Sequence, residues 1–301
     1  MKSMTGPRIN EPELSVVLVN YNDRAHLPAC LSSLEKAVSG LSAEVILVDN
    51  HSEDGSPELV RSAFPWVRLI ENDQNVGYPR ANNIGFSQCH GDYVFFLNTD
   101  TVVPAAAPAA LLAEIKARPE VGAVGPALVH ENGRVQVSFG TRVGFFSEIY
   151  QKLILNPFFR IALRRSRKAR GVGWLSGACL LARRASIEAA GLFDEGFFLY
   201  FEDIDLCRRI TAEGFKLLFF PEVRVSHVGG AATSALRWQS RLEYRRSQLR
   251  FYEKHSSRLS LRLLKLYLKL IILALGASTQ RDEEKRLFRE GLQRILTGQD
   301  A

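Results

Sequence analysis

The segment Leu97-Asn98-Thr99-Asp100 is well suited to chemistry because it closes an apolar run, 93–97, that is typical of a buried strand. Ligands of open α/β sheets bind where the strands end. A carboxylate such as that of Asp100 can hold a divalent cation there, and the cation can hold a diphosphate. An ordinary capping role for Asp100 is the alternative interpretation.

Polar side chains also end two earlier apolar runs. Asn20 and Tyr21 follow the first run, and Asp49 follows the second. Asp49 can accept a hydrogen bond from the ring N–H of a pyrimidine, while Tyr21 can pack on the ring or on a sugar. A parallel sheet would gather these groups along one edge, which predicts a nucleotide pocket. A simple turn with a helix cap is the alternative for Asp49.

The stretch from Asn75 through Gly77 is a glycine turn that leads into a predicted helix. Such helix starts present free N–H groups to anions, and Arg80 adds a cation for a diphosphate. Asn82 belongs to the same stretch, although it can instead tie down the turn.

A cluster of acids follows the apolar residues 197–201. Glu202, Asp203 and Asp205 fall within four positions, and desolvation together with like-charged neighbours would raise a carboxyl pKa toward that of a general base. Asp205 also has Arg208 and Arg209 at helical ion-pair spacing. Helix capping by Glu202 and Asp203 is the alternative.

His227 ends a strand-like segment just before two glycines. Its neutral imidazole can serve as a metal ligand beside Asp100. A purely structural histidine is the competing interpretation.

These groups must be positioned by alternating strands and helices in the first hundred residues, which predict βαβ units on a parallel sheet. Less regular apolar runs in the second half predict a mixed sheet with inserted loops, and one long helix is expected beyond residue 235. The predicted strands are 15–20, 45–49, 67–70, 93–100, 122–129, 176–182 and 215–220, and the first-half helices are 24–38, 57–63 and 79–89.

Composition is that of a globular protein, with 46% hydrophobic and 24% charged residues. The four cysteines are scattered, which argues against a disulfide framework or a zinc knuckle and favours a reducing compartment. Residues 1–12 lack the apolar core of a signal peptide and are expected to form a flexible tail. We therefore expect a cytoplasmic protein.

The net charge of +7 is concentrated in two segments. Residues 235–277 carry +8, and residues 160–170 hold six cations without an acid; the latter predict either a mobile loop near an acceptor or an ordinary disordered loop. The uncharged span 270–280 is shorter than the roughly 20 residues of a transmembrane helix. The basic helix therefore predicts peripheral attachment to the anionic inner face of the cytoplasmic membrane. Packing on the catalytic domain, or pairing in a homodimer, stays open.

Taken in order, the motifs resemble those of the inverting glycosyltransferases of family 2, and among them the rhamnosyltransferase-like members. The likeness runs from about residue 14 to residue 230. The motifs are 15–21, 48–50, 75–85, 97–100, 174–178, 191–195, 201–206 and 226–227, followed by the later segment 246–255.

The resemblance implies an α/β fold of the glycosyltransferase A type with a mostly parallel central sheet over residues 13–232, followed by a basic amphipathic helical region over 233–301. It also implies a divalent metal, Mg²⁺ or Mn²⁺. By position, Asp203 with Glu202 would be catalytic, and Asp100 and His227 would bind the metal. The nucleotide-sugar-binding set would be Asn20, Tyr21, Asp49, Asn75, Gly77, Arg80, Asn82, Asn98, Asp100 and Trp174.

Three positions depart from the family pattern. Asn98 replaces the first acid of the usual Asp-x-Asp pair, which weakens the charge offered to a metal. Pro79 and Arg80 replace small residues, and Thr99 stands where proline is frequent.

The predicted reaction is an inverting sugar transfer from a nucleoside-diphosphate sugar, dTDP-rhamnose or a UDP or GDP sugar, to a glycan or lipid-linked acceptor. A nucleotidyltransferase is one alternative, but it would carry a glycine-rich loop where this chain has residues 20–24. A nucleic-acid-binding protein would explain the cations. The basic segments lack interleaved aromatic platforms, however, so no nucleic-acid partner is expected.

Overall fold

The computed structural model describes residues 11–141, 143–144, 168–229, 237–276 and 283–299. Residues 1–10 of the predicted tail lie outside the described residues. The predicted loop cations of residues 160–167 lie outside them as well. Arg170, counted with that loop, instead begins a strand and places its guanidinium 4.6 Å from the ring centre of Phe139.

The described residues form two sheets. The strands are β1 Leu14–Asn20, β2 Ala43–Asp49, β3 Arg68–Glu71, β4 Tyr93–Asn98, β5 Thr101–Val102, β6 Val121–Val129, β7 Phe139–Gly140, β8 Arg170–Val172, β9 Trp174–Leu175, β10 Cys179–Arg183 and β11 Lys216–His227. Nine strands form the main sheet in the order β3-β2-β1-β4-β10-β6-β11-β5, with β8 paired to β11. Strands β1 to β4 run parallel, β10 lies antiparallel between β4 and β6, and β6 runs parallel to β11. A separate two-stranded sheet joins β7 and β9.

Helices cover both faces of the sheet, as parallel strands require. The helices are α1 Leu27–Val38, α2 Ser56–Ala63, α3 Tyr78–Ser87, α4 Ala107–Lys116, α5 Arg184–Ala190, α6 Glu202–Ala212, α7 Arg237–His255, α8 Arg258–Gly276 and α9 Glu283–Thr297. Along β1, Val16 and Leu18 face one apolar cluster with α1, α2 and α4, whereas Val17 faces the other with α3. Gly85 lets α3 approach the sheet closely, because a Cβ there would lie 2.6 Å from Val17.

The prediction of one long C-terminal helix is wrong. The first helix ends at His255. The Ser257 hydroxyl then accepts the Ser260 N–H at 3.2 Å, which caps a new helix. The break lets Leu264 and Leu268 of α8 fold back onto α7, in a cluster that also buries Phe288 of α9. Burial of these apolar side chains stabilises three helices where an isolated long one would leave them in water.

Some cations of the predicted basic helix form ion pairs within the fold. Arg250 and Lys254 of α7 pair with Asp194 at 3.0 and 2.8 Å. Asp205 is fully buried and pairs with Arg209, as the helical spacing predicts, and also with Lys254. The Lys254–Asp205 pair docks α7 against α6, and the pairs with Asp194 dock α7 against the segment that precedes α6.

Candidate active site

The predicted polar groups of β1 and β2 do meet at one sheet edge. Asn20 and Asp49 are register partners, and the Asn20 amide donates to Asp49 Oδ1 at 2.7 Å. Asp49 Oδ2 accepts the Ser52 N–H at 2.8 Å. Both side chains are buried, and Asn20 Oδ1 lacks a hydrogen-bond partner within the described chain. Tyr21 is 40% exposed beside them.

The turn before α3 is built on one asparagine oxygen. Asn75 Oδ1 accepts the Asn50 amide at 2.7 Å and the Gly77 N–H at 3.0 Å. Gly77 has φ of +83°, and a Cβ there would strike the backbone of Phe198 at 2.9 Å, so glycine is required. The close approach of Gly77 to Phe198 holds the α3 N-terminus against the segment that precedes α6.

Two predicted residues of α3 differ in environment. Arg80 is exposed and only loosely paired with Glu195, at 3.7 Å. Asn82 is buried and donates to the Tyr78 carbonyl at 2.9 Å, while its Oδ1 has no hydrogen-bond partner within the described chain.

Tyr78 joins the two predicted acid motifs. Its buried hydroxyl donates to Asn98 Oδ1 at 2.9 Å and lies 3.4 Å from the Gly177 carbonyl. The N–H of Gly177 in turn donates to Asp203 Oδ2 at 2.8 Å. Asn98 at the end of β4 and Asp203 at the start of α6 are thereby held in one hydrogen-bonded unit.

The two acids at the start of α6 have different surroundings. Burial raises the pKa of Asp203, although its carboxylate accepts the N–H groups of Gly177 and Ile204. Glu202 is buried, and its Oε2 lacks a hydrogen-bond partner in the described residues. Burial, together with the charge of Asp203, raises the Glu202 pKa well above its usual value. Asp203 is the more accessible of the two.

Asp100 and His227 come together as the sequence predicts, although β4 ends at Asn98, two residues before Asp100. Asp100 Oδ1 lies 3.2 Å from His227 Nε2, and Asp100 Oδ2 accepts the Gly229 N–H at 2.9 Å. Burial raises the Asp100 pKa, but the hydrogen bonds and charge of His227 and the Gly229 N–H outweigh burial and hold it below its usual value.

Gln136 fixes the orientation of the His227 ring. Its amide nitrogen donates to the His227 carbonyl at 2.6 Å and faces His130 Nδ1 at 2.9 Å, so its Oε1 must accept from His227 Nδ1, 2.7 Å away. His227 Nε2 is then the nitrogen presented to Asp100. Histidine ligands of metals are held in this manner by a hydrogen bond at the other ring nitrogen.

These residues fit a divalent ion. Adjacent ligands on an octahedral ion at about 2.1 Å are roughly 3 Å apart, close to the observed 3.2 Å. The described residues contain no cluster of three acids, histidines or cysteines that could hold a metal. Mg²⁺-like ions commonly take one or two protein ligands and complete their shell with substrate phosphates and water.

Trp174 lies apart from these hydrogen bonds, in the small β7–β9 sheet. Its indole packs against Gly140, and its N–H is buried with no partner in the described chain. Sequence reasoning also missed two residues. Tyr78 stands between Gly77 and Pro79 in a motif already singled out, whereas Gln136 lies in no recognisable pattern.

The sequence and the fold of this chain are similar to those of known proteins. The model of Glycosyl transferase family 2 matches residues 15–191. An N-acetylglucosaminyl-diphospho-decaprenol L-rhamnosyltransferase of Mycobacterium tuberculosis is 33% identical over 233 residues, covering 71% of this chain and 75% of that protein.

Two solved structures share the fold. Mannosyltransferase PcManGT from Pyrobaculum calidifontis in complex with GDP-Man and Mn²⁺ has a TM-score of 0.59 at 16% identity, covering 96% of this chain and 86% of that chain. The crystal structure of GalNAc-T7 with UDP, GalNAc and Mn²⁺ has a TM-score of 0.57 at 20% identity, covering 80% of this chain and 48% of that chain.

The fold and the comparisons together define a glycosyltransferase of the A-type fold, which confirms the predicted fold class. The chain belongs to glycosyl transferase family 2. Membership in a sugar-transferring family sets aside the nucleotidyltransferase and nucleic-acid-binding alternatives.

Proposed function

We propose that this protein is an inverting glycosyltransferase that moves a sugar, rhamnose in the first instance, from a nucleoside-diphosphate sugar to a hydroxyl of a lipid-linked glycan precursor. The observation that carries the proposal is the hydrogen-bonded unit of Asn98, Tyr78, Gly177 and Asp203. In support of the proposal, this unit links the Asp203 carboxylate, whose pKa burial raises, to Asn98, two residues before Asp100 in the sequence.

In the proposed reaction Asp203 takes the proton of the acceptor hydroxyl as its oxygen attacks the anomeric carbon. The bond from that carbon to the nucleoside diphosphate breaks on the opposite face, and the configuration inverts. The Gly177 and Ile204 N–H groups fix the Asp203 carboxylate, so little reorganisation accompanies proton transfer. Burial and the charge of Asp203 raise the pKa of Glu202, which favours its neutral form and so limits the negative charge next to the catalytic base.

The donor would lie along the edge formed by β1, β2 and β4. Asn20 and Asp49 would hydrogen-bond to the nucleobase, and the exposed ring of Tyr21 would pack on the nucleobase. The turn of Asn75 and Gly77 and the side chain of Arg80 would receive the diphosphate at the α3 N-terminus. We place Asn82 and Trp174 in the supporting structure of this pocket.

Asp100 and His227 would hold the divalent ion, with Gln136 orienting the histidine. Such an ion stabilises the negative charge of a departing diphosphate. Both similar solved structures contain Mn²⁺.

The acceptor and the membrane are inferred from α8. The relative from M. tuberculosis is named for a diphospho-decaprenol acceptor. In the described chain the large apolar side chains with the greatest exposure lie at helical spacing on one side of α8 and form a leucine band, which Arg258, Arg262 and Lys269 border. The band consists of Leu259, Leu266, Leu270 and Leu273.

The leucine band with its bordering cations matches an interfacial helix on an anionic membrane. None of the described helices combines the length and apolarity needed to span a membrane. We expect the protein to float with phosphatidylglycerol vesicles at low salt, and the variant Leu266→Glu/Leu270→Glu to lose at least tenfold in binding. The control Val102→Glu alters an exposed apolar residue elsewhere and should bind normally. Salt-insensitive or absent binding of the unaltered protein would remove the membrane assignment.

The reaction itself is tested by product analysis. Purified protein is incubated with Mn²⁺, a panel of dTDP, UDP and GDP sugars, and a polyprenyl-diphosphate N-acetylglucosamine acceptor. We expect acceptor-dependent release of nucleoside diphosphate, strongest with dTDP-rhamnose. Release of pyrophosphate would show a nucleotidyltransferase instead.

A further inference from the structure

A cavity of about 280 Å³ lies between the three C-terminal helices and the segment that leads into α6. Its wall combines aromatic and aliphatic side chains with two guanidinium groups. The residues that matter here are Tyr200, Arg241, Tyr244, Arg245, Ile271 and Phe288.

Neither arginine of this cavity is neutralised by a carboxylate among the described residues. The Arg241 guanidinium stacks 4.6 Å from the centre of the Phe288 ring. Arg245 lies 5.4 Å from the ring centre of Tyr244 and donates to Gln248 Oε1 at 2.7 Å. By contrast, Arg250 and Lys254 on the same helix are paired with acids. Two stacked, uncompensated guanidinium groups beside an apolar wall suit a diphosphate ester, since Arg binds phosphate oxygens in bidentate fashion.

The cavity is next to the proposed base. The Tyr200 ring packs 5.8 Å from that of Tyr244, and the Phe201 ring lies 5.2 Å from it. Asp203 is three positions after Tyr200 in the sequence, so their Cα atoms are at most about 11 Å apart. Tyr200 and Phe201 both have left-handed backbones, with φ of 70° and 65°. Bulky residues rarely adopt this conformation, and such strain concentrates at functional sites.

The cavity also borders the leucine band. Ile271 lines the cavity, while its neighbour Leu270 is exposed on the band. A hydrocarbon chain leaving the cavity along α8 would therefore meet apolar side chains that lead to the proposed membrane face.

From these contacts we infer that the cavity between α7, α8, α9 and Tyr200 binds the diphosphate of a polyprenyl-diphosphate-linked acceptor through Arg241 and Arg245. The lipid leaves along α8, and the first sugar of the acceptor reaches Asp203. The inference rests on the proposed function and specifies which acceptors that function uses.

The test compares two acceptors that carry the same sugar, assayed in detergent micelles so that membrane docking plays no part. One is polyprenyl-diphosphate N-acetylglucosamine, and the other is an alkyl N-acetylglucosaminide without a diphosphate. For Arg241→Gln/Arg245→Gln we expect the KM of the diphosphate acceptor to rise at least tenfold, with kcat within about threefold. The KM of the alkyl glycoside should stay unchanged. The matched control Arg61→Gln/Arg68→Gln removes the same charge from exposed residues of α2 and β3, outside the cavity and away from α8, and should leave both KM values unchanged.

Binding of farnesyl diphosphate, measured by calorimetry, supplies a readout independent of turnover. Unaltered protein and control should bind it, the double variant at least tenfold more weakly, and phosphatidylglycerol micelles should not displace it. Equal effects on both acceptors, unchanged farnesyl diphosphate binding in the double variant, or displacement by phosphatidylglycerol would overturn the inference. If unaltered protein transferred sugar to neither acceptor, the proposed function would fail instead. Normal donor binding and thermal unfolding would show that the variant is folded.

Discussion

Replacing Asp203 by Asn removes the proposed base and little else. Asp203 Oδ2 accepts the Gly177 N–H at 2.8 Å, and Oδ1 accepts the Ile204 N–H at 2.7 Å. An asparagine keeps one of these hydrogen bonds and the start of α6. Its amide, however, cannot take the proton of the acceptor hydroxyl.

The expected loss follows from the role of a positioned base. Such a group contributes about 10²- to 10⁴-fold in rate, equivalent to roughly 2.7 to 5.4 kcal/mol of barrier. We expect kcat of Asp203→Asn to fall by that factor while the Kd of the nucleotide sugar stays within about threefold. A continuous assay of nucleoside diphosphate release gives kcat, and calorimetry with Mn²⁺ gives the donor Kd.

The neighbouring acid supplies the matched control. Burial and the charge of Asp203 raise the pKa of Glu202 well above its usual value, so the protonated form of this carboxyl is favoured. Glu202→Gln resembles that protonated form, so its kcat should stay within about threefold. The reasoning is refuted if Asp203→Asn transfers sugar near the unaltered rate, or if Glu202→Gln is the more damaging change.

Three further predictions concern stability and metal affinity. The pKa of Glu202 is higher in the folded protein than its value of 4.5 in the unfolded chain. This carboxyl therefore contributes stability that is fully present below pH 4.5 and is lost as the pH rises through the folded-state pKa. Glu202→Gln should therefore raise Tm at pH 8 relative to unaltered protein and give no gain at pH 4. Gln136→Leu should weaken Mn²⁺ binding about 10- to 100-fold, because the His227 ring loses its support; electron paramagnetic resonance of free Mn²⁺ measures this. Asp205→Ala should cost roughly 3 kcal/mol in urea unfolding, because it removes a fully buried carboxylate and leaves the partly buried Arg209 without its acid, whereas Asp194→Ala should cost about 1 kcal/mol or less.

Each of these predictions has a clear contrary result. A pH-independent Tm difference for Glu202→Gln would mean that the carboxyl is ionised in the folded protein. Unchanged Mn²⁺ affinity in Gln136→Leu would separate Gln136 from the metal site. Equal costs for Asp205→Ala and Asp194→Ala would show that burial of the ion pair at α6 is unimportant.

Much of the first half of the fold is predictable from sequence, because parallel strands buried on both faces require continuous apolar runs. The run before Asn98 and the run before Asp49 both became strands ending near the predicted residue. The proximity of Asp100 and His227 was predicted from their positions at the ends of strand-like segments of the sequence, although more than a hundred residues separate them.

Other features depend on tertiary contacts that leave no periodic signal. Charge spacing in the C-terminal region predicts helix but not the break after His255, which depends on one serine cap and on the packing of Leu268 against α7. The same spacing cannot tell that Lys254 is paired with buried Asp205. The orienting role of Gln136 exists only because a loop residue lies beside β11.

The most direct test of inverting transfer is the anomeric configuration of the product. Protein, Mn²⁺, dTDP-rhamnose and polyprenyl-diphosphate N-acetylglucosamine are incubated, and the new glycosidic linkage is assigned by nuclear magnetic resonance. The proposed mechanism predicts a product whose anomeric configuration is opposite to that of the donor and whose formation is lost in Asp203→Asn. A product that retains the donor configuration would contradict the mechanism.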